Sequence, residues 1–283
     1  MNDVAVIYIA HAAYGINSLR VFLDAHRRFD GGVKHDLVIA FKGFGPRDHL
    51  QDFEELAAAA GARFLHFPDG GYDIGTYRHS ALRSPNPILC FLNSSSEPLC
   101  DGWLAGLVAC VSQSGVGLAG STASYESNTS NVVRHWRDFP YRNQFDRTAR
   151  TTWYALWWVR MSLHFPLFPN PHVRTNGFAM RRELFLDLVR TSHWSKWTTR
   201  YLESGHHSLT RKVRRAGLRA LIVGRDGRAY DVDEWPQSGT FRAHLQENLT
   251  IADNQTRGYL AASPAMRQRL TECAWGLRKT SVR

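Results

Sequence analysis

The chain has 283 residues, a formal net charge of +10, and 43% hydrophobic and 21% charged residues, which is the composition of a folded globular protein. This composition excludes an intrinsically disordered chain, and no apolar stretch approaches the roughly 20 residues that a membrane-spanning helix needs. The positive charge favours anionic ligands, among them phosphorylated small molecules, nucleic acid and lipid headgroups, without choosing between them.

The first 120 residues alternate strand-like and helix-like segments. A β-branched apolar run predicts a buried strand at Val4–Ile9, and apolar residues at helical spacing predict a helix over Ile16–Phe29. The same patterns predict strands at Leu37–Phe41, Arg63–Phe67, Ile88–Leu92 and Val116–Ala119, and helices at Asp48–Ala60, Ile74–Leu82 and Asp101–Val111. This alternation predicts an α/β fold with a mostly parallel sheet and helices on both faces.

The second half is less regular. Residues 121–150 are polar and predict a long surface excursion, whereas residues 151–165 are rich in tryptophan and predict either an aromatic core helix or an amphipathic helix lying on a membrane. Further elements are predicted at Gly177–Met180, Glu183–Arg190, Leu209–Ala216, Leu218–Val223 and Pro264–Trp275. Since no segment has the composition of a linker, we expect a single domain.

In sheets of this type ligands bind beyond the carboxyl ends of the strands, which directs attention to the loops Ala10–Gly15, Asp69–Gly75 and Asn93–Glu97. The glycine-rich second loop opens a helix and can present backbone N–H groups to an anion. Asp73 could hold a ribose hydroxyl or a base edge, and Arg78 could neutralise a diphosphate. The alternative is a plain turn in which Asp73 caps the helix.

Two motifs in this region resemble a family. Gly71-Tyr72-Asp73-Ile74-Gly75-Thr76-Tyr77 precedes Phe91-Leu92-Asn93-Ser94-Ser95, and both are similar to motifs of bacterial GT-A glycosyltransferases of the rhamnan-synthesis and O-antigen type. The resemblance implies one GT-A-like, Rossmann-type domain over residues 1–283 with an irregular, helix-rich C-terminal part. Residues 1–120 would be its nucleotide-sugar-binding half and residues 121–283 its acceptor-side half.

The resemblance and the loop positions together give a set of expected site residues. For the donor they are Ala10, His11, Asp73, Gly75, Arg78, Asn93 and Ser95, and for the acceptor they are His172, Arg174 and Asn176.

The resemblance also implies a metal site, but this chain lacks the family's usual carboxylate ligands for it. The family's metal-binding carboxylates would fall at Ser94 or Ser95, where this chain has hydroxyls. Arginine side chains and backbone dipoles could instead stabilise the leaving diphosphate. We therefore expect no metal and no cofactor, although Asp73 and Glu97 could still contribute to a Mg²⁺ or Mn²⁺ site.

An inverting transferase needs a base for the acceptor hydroxyl. By comparison with the family, Glu203 is the first candidate and His206 the second, both ahead of a basic helix. The alternative is that Glu203 only caps or pairs with that helix, and a retaining enzyme would need no such base.

These observations predict a hexosyl- or deoxyhexosyltransferase that moves a sugar from a nucleoside-diphosphate sugar to a bacterial surface polysaccharide or a lipid-linked glycan. With no leader-like segment in residues 1–10, we expect a cytoplasmic protein, in peripheral contact with the inner face of the membrane if the tryptophan-rich helix binds lipid. A catalytically inactive sugar-nucleotide- or glycan-binding protein of the same fold is the alternative. Nucleic acid is not expected as a partner, since no recognised binding motif is present.

Overall fold

The structure, a computed structural model, describes residues 2–138, 144–190 and 195–276. Its strands are β1 (Val4–His11), β2 (Asp36–Lys42), β3 (Arg63–Phe67), β4 (Ile88–Leu92), β5 (Glu97–Pro98), β6 (Val116–Gly120), β7 (Ala123–Ser124), β8 (His172–Val173), β9 (Gly177–Arg181), β10 (Arg219–Val223), β11 (Ala229–Tyr230) and β12 (Ile251–Ala252). Its α-helices are α1 (Gly15–Arg28), α2 (Leu50–Ala59), α3 (Tyr72–Arg83), α4 (Trp103–Ser112), α5 (Asn128–Asp138), α6 (Gln144–His164), α7 (Arg182–Leu188), α8 (Lys196–Ser204), α9 (Leu209–Arg215), α10 (Asn254–Ala261) and α11 (Pro264–Trp275).

Eight strands form one central sheet in the order β11-β10-β6-β9-β4-β1-β2-β3. The pairs β1–β2, β2–β3, β1–β4 and β6–β10 are parallel, whereas β9 runs antiparallel to both β4 and β6, and β11 is antiparallel to β10. The predicted α/β fold with a mostly parallel sheet is therefore confirmed.

Helices cover both faces of this sheet because successive side chains of a strand point in opposite directions. On β1, Val6 and Tyr8 pack into a core beneath α1, α2 and α4, while Ile7 and Ile9 pack on the other face beneath α3, α7, α8 and α9. Burial on both faces explains why β1 is an almost unbroken apolar run. The edge strand β3 is by contrast largely exposed.

Two small sheets bring later parts of the chain to the carboxyl edge of the parallel strands. β12 pairs with β5, which follows β4 directly, and β7 pairs with β8. As a result, the residues after Ala252 lie next to the end of β4.

The prediction for residues 121–150 is wrong. Ser121, Thr122, Ser124, Ser127 and Thr129 are buried, and α5 begins within this stretch. Most of their hydroxyls bond to backbone groups; for example, Ser127 Oγ donates to Pro166 O and Thr129 Oγ1 to Phe165 O. Thr122 Oγ1 instead donates to the side chain of Asn176. Polarity here reflects hydrogen bonding inside the protein rather than contact with solvent. Residues 139–143 of this prediction lie outside the described part of the chain.

The tryptophan-rich segment forms most of α6 and has two different faces. Met161 and Phe165 are buried in a small core with Val132, against which Trp157 packs, whereas Trp153, Leu156, Val159 and Leu163 are exposed. Among the described helices, none is both long enough and apolar enough to cross a membrane.

We predict that Phe91→Ala lowers the free energy of unfolding by about 3–5 kcal/mol, the usual cost of removing a buried aromatic ring. Phe91 is fully buried on β4, with its ring centroid 4.5 Å from that of Phe185 and 5.0 Å from that of Phe178. Phe64→Ala on the exposed edge strand is the matched control and should cost much less. Denaturant unfolding measures both variants, and equal losses would contradict the described packing.

Candidate functional site

Two cavities lie at the carboxyl edge of the sheet. The first cavity, of about 710 Å³, is lined by residues at or after the carboxyl ends of β1, β2 and β3 and by residues along α8: His11, Ala13, Tyr14, Lys42, Asp69, Tyr72, Asp73, Lys196, Thr199, Arg200 and Glu203. The second cavity, of about 310 Å³, is lined by polar residues that include Asp73, Asn93, Asn128, Asn131, His172, Arg174, Thr175, Asn176, Arg200, Glu203, Asp253 and Gln255. Asp73, Arg200 and Glu203 line both cavities, so they stand where the two meet.

The structure thus brings Asp73 and Asn93 into one cavity, as the positions of their loops predicted. Asp73 lies in the first turn of α3, where Gly71 precedes the helix in the left-handed conformation (φ 76°) that glycine adopts without strain. Asn93 directly follows β4.

Cationic and aromatic side chains surround Asp73 in the first cavity. His11 ends β1 and Lys42 ends β2, and the two residues are partners in the parallel register. The Lys42 ammonium is buried and lies 5.6 Å from the centre of the Tyr72 ring. Burial lowers the pKa of Lys42, an effect that the carboxylates of Asp73 and Asp69 partly offset. Tyr14 and Tyr72 expose much of their rings to this cavity.

Burial raises the pKa of the Asp73 carboxyl above its usual value, and the charges of Lys42 and His11 offset only part of this rise. Burial also raises the pKa of Glu203, assisted by the negative charge of Asp73 and opposed by the hydrogen bond that Thr175 Oγ1 donates to Glu203 Oε1. A carboxylate with a raised pKa is a stronger base than one in water. Because both pKa values are higher in the folded state, folding becomes less favourable as pH rises from the unfolded pKa through the folded one.

The second cavity is braced by one buried ion pair. Arg174 Nη2 lies 2.6 Å from Asp253 Oδ2, with side-chain exposures of 12% and 1%, and the guanidinium also lies 4.3 Å from the centre of the Phe241 ring. Burial disfavours the charge on Asp253, but Arg174 and the hydrogen bonds from Thr256 outweigh it and lower the pKa of Asp253. Asp253 also caps α10, which fixes this helix against the cavity.

Two buried polar atoms, on residues that line the cavities, are left without a hydrogen-bond partner in the described part of the chain. Asn176 is 3% exposed, and its Oδ1 accepts from Thr122 Oγ1, but its Nδ2 has no hydrogen-bond partner. Thr199 Oγ1 in the first cavity is likewise unpartnered. Since buried polar groups are almost always hydrogen-bonded, these two atoms are exceptions in the walls of the site. His172 Nδ1 bonds to Asn170 O, and burial lowers the pKa of this imidazole.

Several predicted site residues line neither cavity. Ala10 is buried in the core, and Gly75 lies inside α3, where its amide donates to Gly71 O. Arg78 Nε donates to Val189 O at 2.9 Å and joins α3 to the end of α7. Ser95 Oγ donates to Asn93 Oδ1 and so orients that amide. His206 Nε2 bonds to Ser162 O, outside both cavities.

Sequence reasoning missed Lys42, Arg200 and Asp253. Lys42 follows the predicted strand Leu37–Phe41 as His11 follows the predicted strand Val4–Ile9, so the strand-end rule that selected His11 applied to Lys42 as well. Arg200 lies three residues before Glu203 and hence on the same face of α8. Asp253 had no local signal, because its position depends on the distant pairing of β12 with β5.

A still larger hollow of about 860 Å³ lies at the opposite edge of the sheet, beside the amino ends of β2 and β3. Its lining includes His26 and His35, whose Nε2 atoms lie 2.8 Å apart. Burial lowers the pKa of His26 to about 4, so the His26 imidazole is neutral near pH 7. The hollow lies at the amino edge, where parallel sheets do not usually bind ligands.

No protein-family model matches this chain, and no curated protein matches it. Similar solved structures include glucosyl-3-phosphoglycerate synthase from Mycobacterium tuberculosis in complex with Mn²⁺, uridine diphosphate and phosphoglyceric acid, at 18% identity over 64% of this chain and 56% of that chain, with a TM-score of 0.36. S. aureus TarS is similar at 11% identity over 42% of this chain and 21% of that chain, with a TM-score of 0.34.

The similarity thus spans little more than half of the synthase and about a fifth of TarS. A similarity at these identities and TM-scores says nothing about the donor or acceptor of this chain, and the likeness to rhamnan-synthesis and O-antigen enzymes stays a prediction. The function proposed below rests on the residues of this chain.

The expectation of no metal and no cofactor is wrong by this comparison, because glucosyl-3-phosphoglycerate synthase was solved with Mn²⁺ bound. Ser94 and Ser95 were a poor basis for that expectation, since a metal site can draw its carboxylates from elsewhere. Within residues 2–138, 144–190 and 195–276, no three His, Cys, Asp or Glu side chains are grouped as metal ligands. Glu97 lines neither cavity and is paired with Arg257 at 3.0 Å. Of the carboxyl groups that line the cavities, Asp253 is paired with Arg174, Glu126 with Arg242 and Asp69 with His11. This leaves Asp73 and Glu203 without a salt-bridge partner among those residues.

We predict that Asp253→Asn lowers the free energy of unfolding by about 3–5 kcal/mol, because it leaves the charge of Arg174 buried and unpaired. Asparagine is as good a helix N-cap as aspartate, so the loss reports the ion pair rather than the start of α10. Asp187→Asn is the control, since its pair with Arg190 has the same 2.6 Å distance but is exposed. Urea unfolding of both variants measures this change. A decrease in the free energy of unfolding of less than about 1 kcal/mol for Asp253→Asn would show that the pair does not brace the cavity.

Proposed function

We propose that this protein is a glycosyltransferase that moves a sugar from a nucleoside-diphosphate sugar to a hydroxyl of a glycan acceptor. The observation that carries this proposal is the meeting of two cavities of different character at Asp73, Arg200 and Glu203. A transferase needs two adjoining binding sites with a base between them, and here a carboxylate with raised pKa stands at the junction.

The first cavity suits the donor. Lys42, Lys196 and Arg200 supply positive charge for a diphosphate, and ring faces of Tyr14 and Tyr72 suit a nucleobase. His11 is held by Asp69, with His11 Nε2 2.9 Å from Asp69 Oδ1. The exposed Asp69 carboxylate retains acceptor capacity for ribose hydroxyls.

The second cavity suits a sugar acceptor. Its lining combines amide and charged side chains. The amides are those of Asn128, Asn131, Asn176 and Gln255, and an amide binds hydroxyls both as donor and as acceptor. Asn176 Nδ2 is a donor in this wall that has no hydrogen-bond partner among the described residues. We propose His172, Arg174 and Asn176 as acceptor-side residues and His11 and Asp73 as donor-side residues. Asn93, which was predicted for the donor, lines the second cavity and not the first.

Glu203 would take the proton of the attacking hydroxyl, held in place by Thr175. Arg200, one turn earlier on α8, would stabilise the charge that develops on the departing diphosphate. The residues fit a divalent cation as well, because Asp73 offers a hard oxygen ligand beside the cationic, diphosphate-sized cavity, and Mg²⁺ or Mn²⁺ is often held by one or two carboxylates plus substrate phosphates. When bound, such an ion would neutralise charge on the leaving group.

For the acceptor we propose a bacterial surface polysaccharide or a lipid-linked glycan, reached by peripheral contact with the inner face of the cytoplasmic membrane, and for the sugar a hexose or deoxyhexose. The exposed side chains Trp153, Leu156 and Leu163 support this, because they lie along one face of α6 at helical spacing. The net charge of +10 favours anionic lipid.

We predict that Glu203→Gln reduces sugar transfer or slow donor hydrolysis by about 10²–10⁴-fold, because glutamine cannot accept the proton. In the wild type, the rate should rise with pH through a pKa above the usual glutamate value of 4.5. The assay measures donor turnover with a panel of nucleoside-diphosphate sugars and Mn²⁺ across pH.

His206→Ala is the control and should retain wild-type turnover, since His206 lies outside both cavities. Donor binding with no turnover by the wild type would favour the inactive binding protein instead. Unchanged turnover in Glu203→Gln would remove this residue from the role of base.

We predict that Leu156→Asp combined with Leu163→Asp abolishes co-flotation with anionic liposomes at low salt, since each exposed leucine would meet the acyl region. Leu260→Asp, an exposed leucine on α10, should float as the wild type does. Absence of wild-type flotation would end the proposal of membrane contact.

A further inference from the structure

The two cavities differ in how many of their cationic side chains can meet an anion. The first cavity is lined by Lys42, Lys196 and Arg200, none of which forms an ion pair with another described residue. The second cavity is lined by Arg174 and Arg200, and Arg174 is paired with Asp253 at 2.6 Å. Within the part of the chain that the structure describes, Arg200 is therefore the cation of the second cavity that has no ion-pair partner.

A further guanidinium adjoins the wall of the second cavity and is neutralised in the same way. Arg242 Nη1 lies 3.0 Å from Glu126 Oε1, and Arg242 Nη2 donates to Gln255 Oε1 at 3.1 Å. Glu126 and Gln255 line the second cavity, whereas Arg242 does not. The guanidinium groups of Arg242 and Arg174 lie 4.8 Å and 4.3 Å from the centre of the buried Phe241 ring. Turning either group toward a ligand would leave a carboxylate unpaired in the wall, which is costly.

Carboxyl groups outnumber guanidinium groups in the lining of the second cavity. There are four against two, and the four are those of Asp73, Glu126, Glu203 and Asp253. Burial lowers the pKa of the His172 imidazole below its usual value, so this side chain adds no full positive charge at neutral pH. Glu203 has to be ionised when it accepts the proton in the proposed reaction. An acidic group that enters this cavity therefore meets negative charge in the wall, and like charges brought together repel strongly.

The charge of Arg200 is already engaged. Burial raises the pKa of Glu203, and the charges of Arg174 and Arg200 are among the effects that oppose this rise. Arg200 thus acts on a carboxyl group of this chain, and in the proposed reaction it also stabilises the departing diphosphate. It is not left over to bind an acidic substituent of the acceptor.

We propose that the sugar that carries the accepting hydroxyl is neutral, with no carboxylate, phosphate or sulfate substituent in the second cavity. This inference rests on the proposed function, and it narrows the acceptor from glycans in general to glycans whose acceptor residue is uncharged. Asp253 and Glu126 determine this specificity, because they neutralise Arg174 and Arg242 and place negative charge where an acidic sugar would bind. Repulsion of the wrong ligand sets specificity as much as attraction of the right one.

The test compares sugars of one shape that differ in charge. Methyl glycosides of glucose, galactose and mannose are each paired with the methyl glycoside of the corresponding uronic acid and with its uronamide, which has the shape of the acid without the charge. Titration followed by saturation-transfer NMR at neutral pH and low ionic strength needs no donor. At least one neutral hexoside should bind the wild type, its uronate should bind at least about tenfold more weakly, and its uronamide should bind like the hexoside.

Glu126→Gln tests the role of the wall. Glutamine can still accept a hydrogen bond from Arg242, but it removes the negative charge, so the preference for the hexoside over the uronate should fall by about tenfold. Retained binding of the hexoside shows that this variant is folded. Glu183→Gln makes the same change of net charge at an exposed position of α7 outside both cavities, and it should keep the wild-type preference.

Several results would overturn the inference. One is a uronate that binds the wild type as tightly as its hexoside, and another is a panel in which no neutral sugar binds. Rejection of the uronamide along with the uronate would show that shape rather than charge excludes the acid. An equal loss of preference in Glu126→Gln and Glu183→Gln would assign the effect to net charge rather than to the wall.

Donor binding by the same proteins separates this inference from the proposed function. A wild type that binds a nucleoside-diphosphate sugar but prefers uronates would keep the proposed function and contradict only the neutral acceptor. A wild type that binds no donor would contradict the proposed function, whatever its preference among the glycosides.

Discussion

The main constraint on this site is that two carboxyl groups, those of Asp73 and Glu203, are buried where the two cavities meet. Asp73 and Glu203 come from helices on one face of the sheet, α3 and α8, and burial raises the pKa of both. Holding two such groups close together opposes folding once they ionise. A protein tolerates this cost where the groups act on a ligand, as raised carboxyl pKa values often mark functional sites.

The sheet makes this arrangement possible. Parallel strands β1, β2 and β4 end at one edge, so His11, Lys42 and Asn93 arrive there together. The antiparallel strand β9 then returns beside β4, and Arg174 and Asn176, which precede it, reach the same edge from the opposite direction. The C-terminal segment adds the last wall through β12 and the Arg174–Asp253 pair. Residues from the two halves of the chain therefore form one site.

Much of this organisation could be predicted from local patterns. The apolar runs of β1, β2 and β4 and the glycine before α3 identify the sheet edge, and with it His11, Asp73 and Asn93. The predicted role of Arg78 has no support in its position, because α7 lies close enough for its Nε to bond with Val189 O. Such a contact between distant segments has no signal in the local sequence.

The rest of the site depends on tertiary packing. Residues 121–130 are polar, and polarity alone predicts exposure, yet their hydroxyls satisfy backbone groups in the interior. The serines after β4 are similarly occupied: Ser95 and Ser96 both donate to Asn93 Oδ1 and shape the turn. The absence of carboxylates in that turn therefore gave no reason to expect a site without metal, since Asp73 supplies a carboxylate to the same cavity from α3.

The central claim is that the first cavity binds an activated sugar. A thermal-shift titration with UDP-, GDP-, CMP- and dTDP-sugars in the presence of Mn²⁺ tests it most directly, since a ligand that binds only the folded state must stabilise it. The account predicts that one nucleotide class raises the melting temperature in a saturable way, and that Lys42→Met, which removes a buried cation from the cavity, greatly weakens this effect. A melting temperature that no donor shifts, or an equal shift in Lys42→Met, would contradict the account.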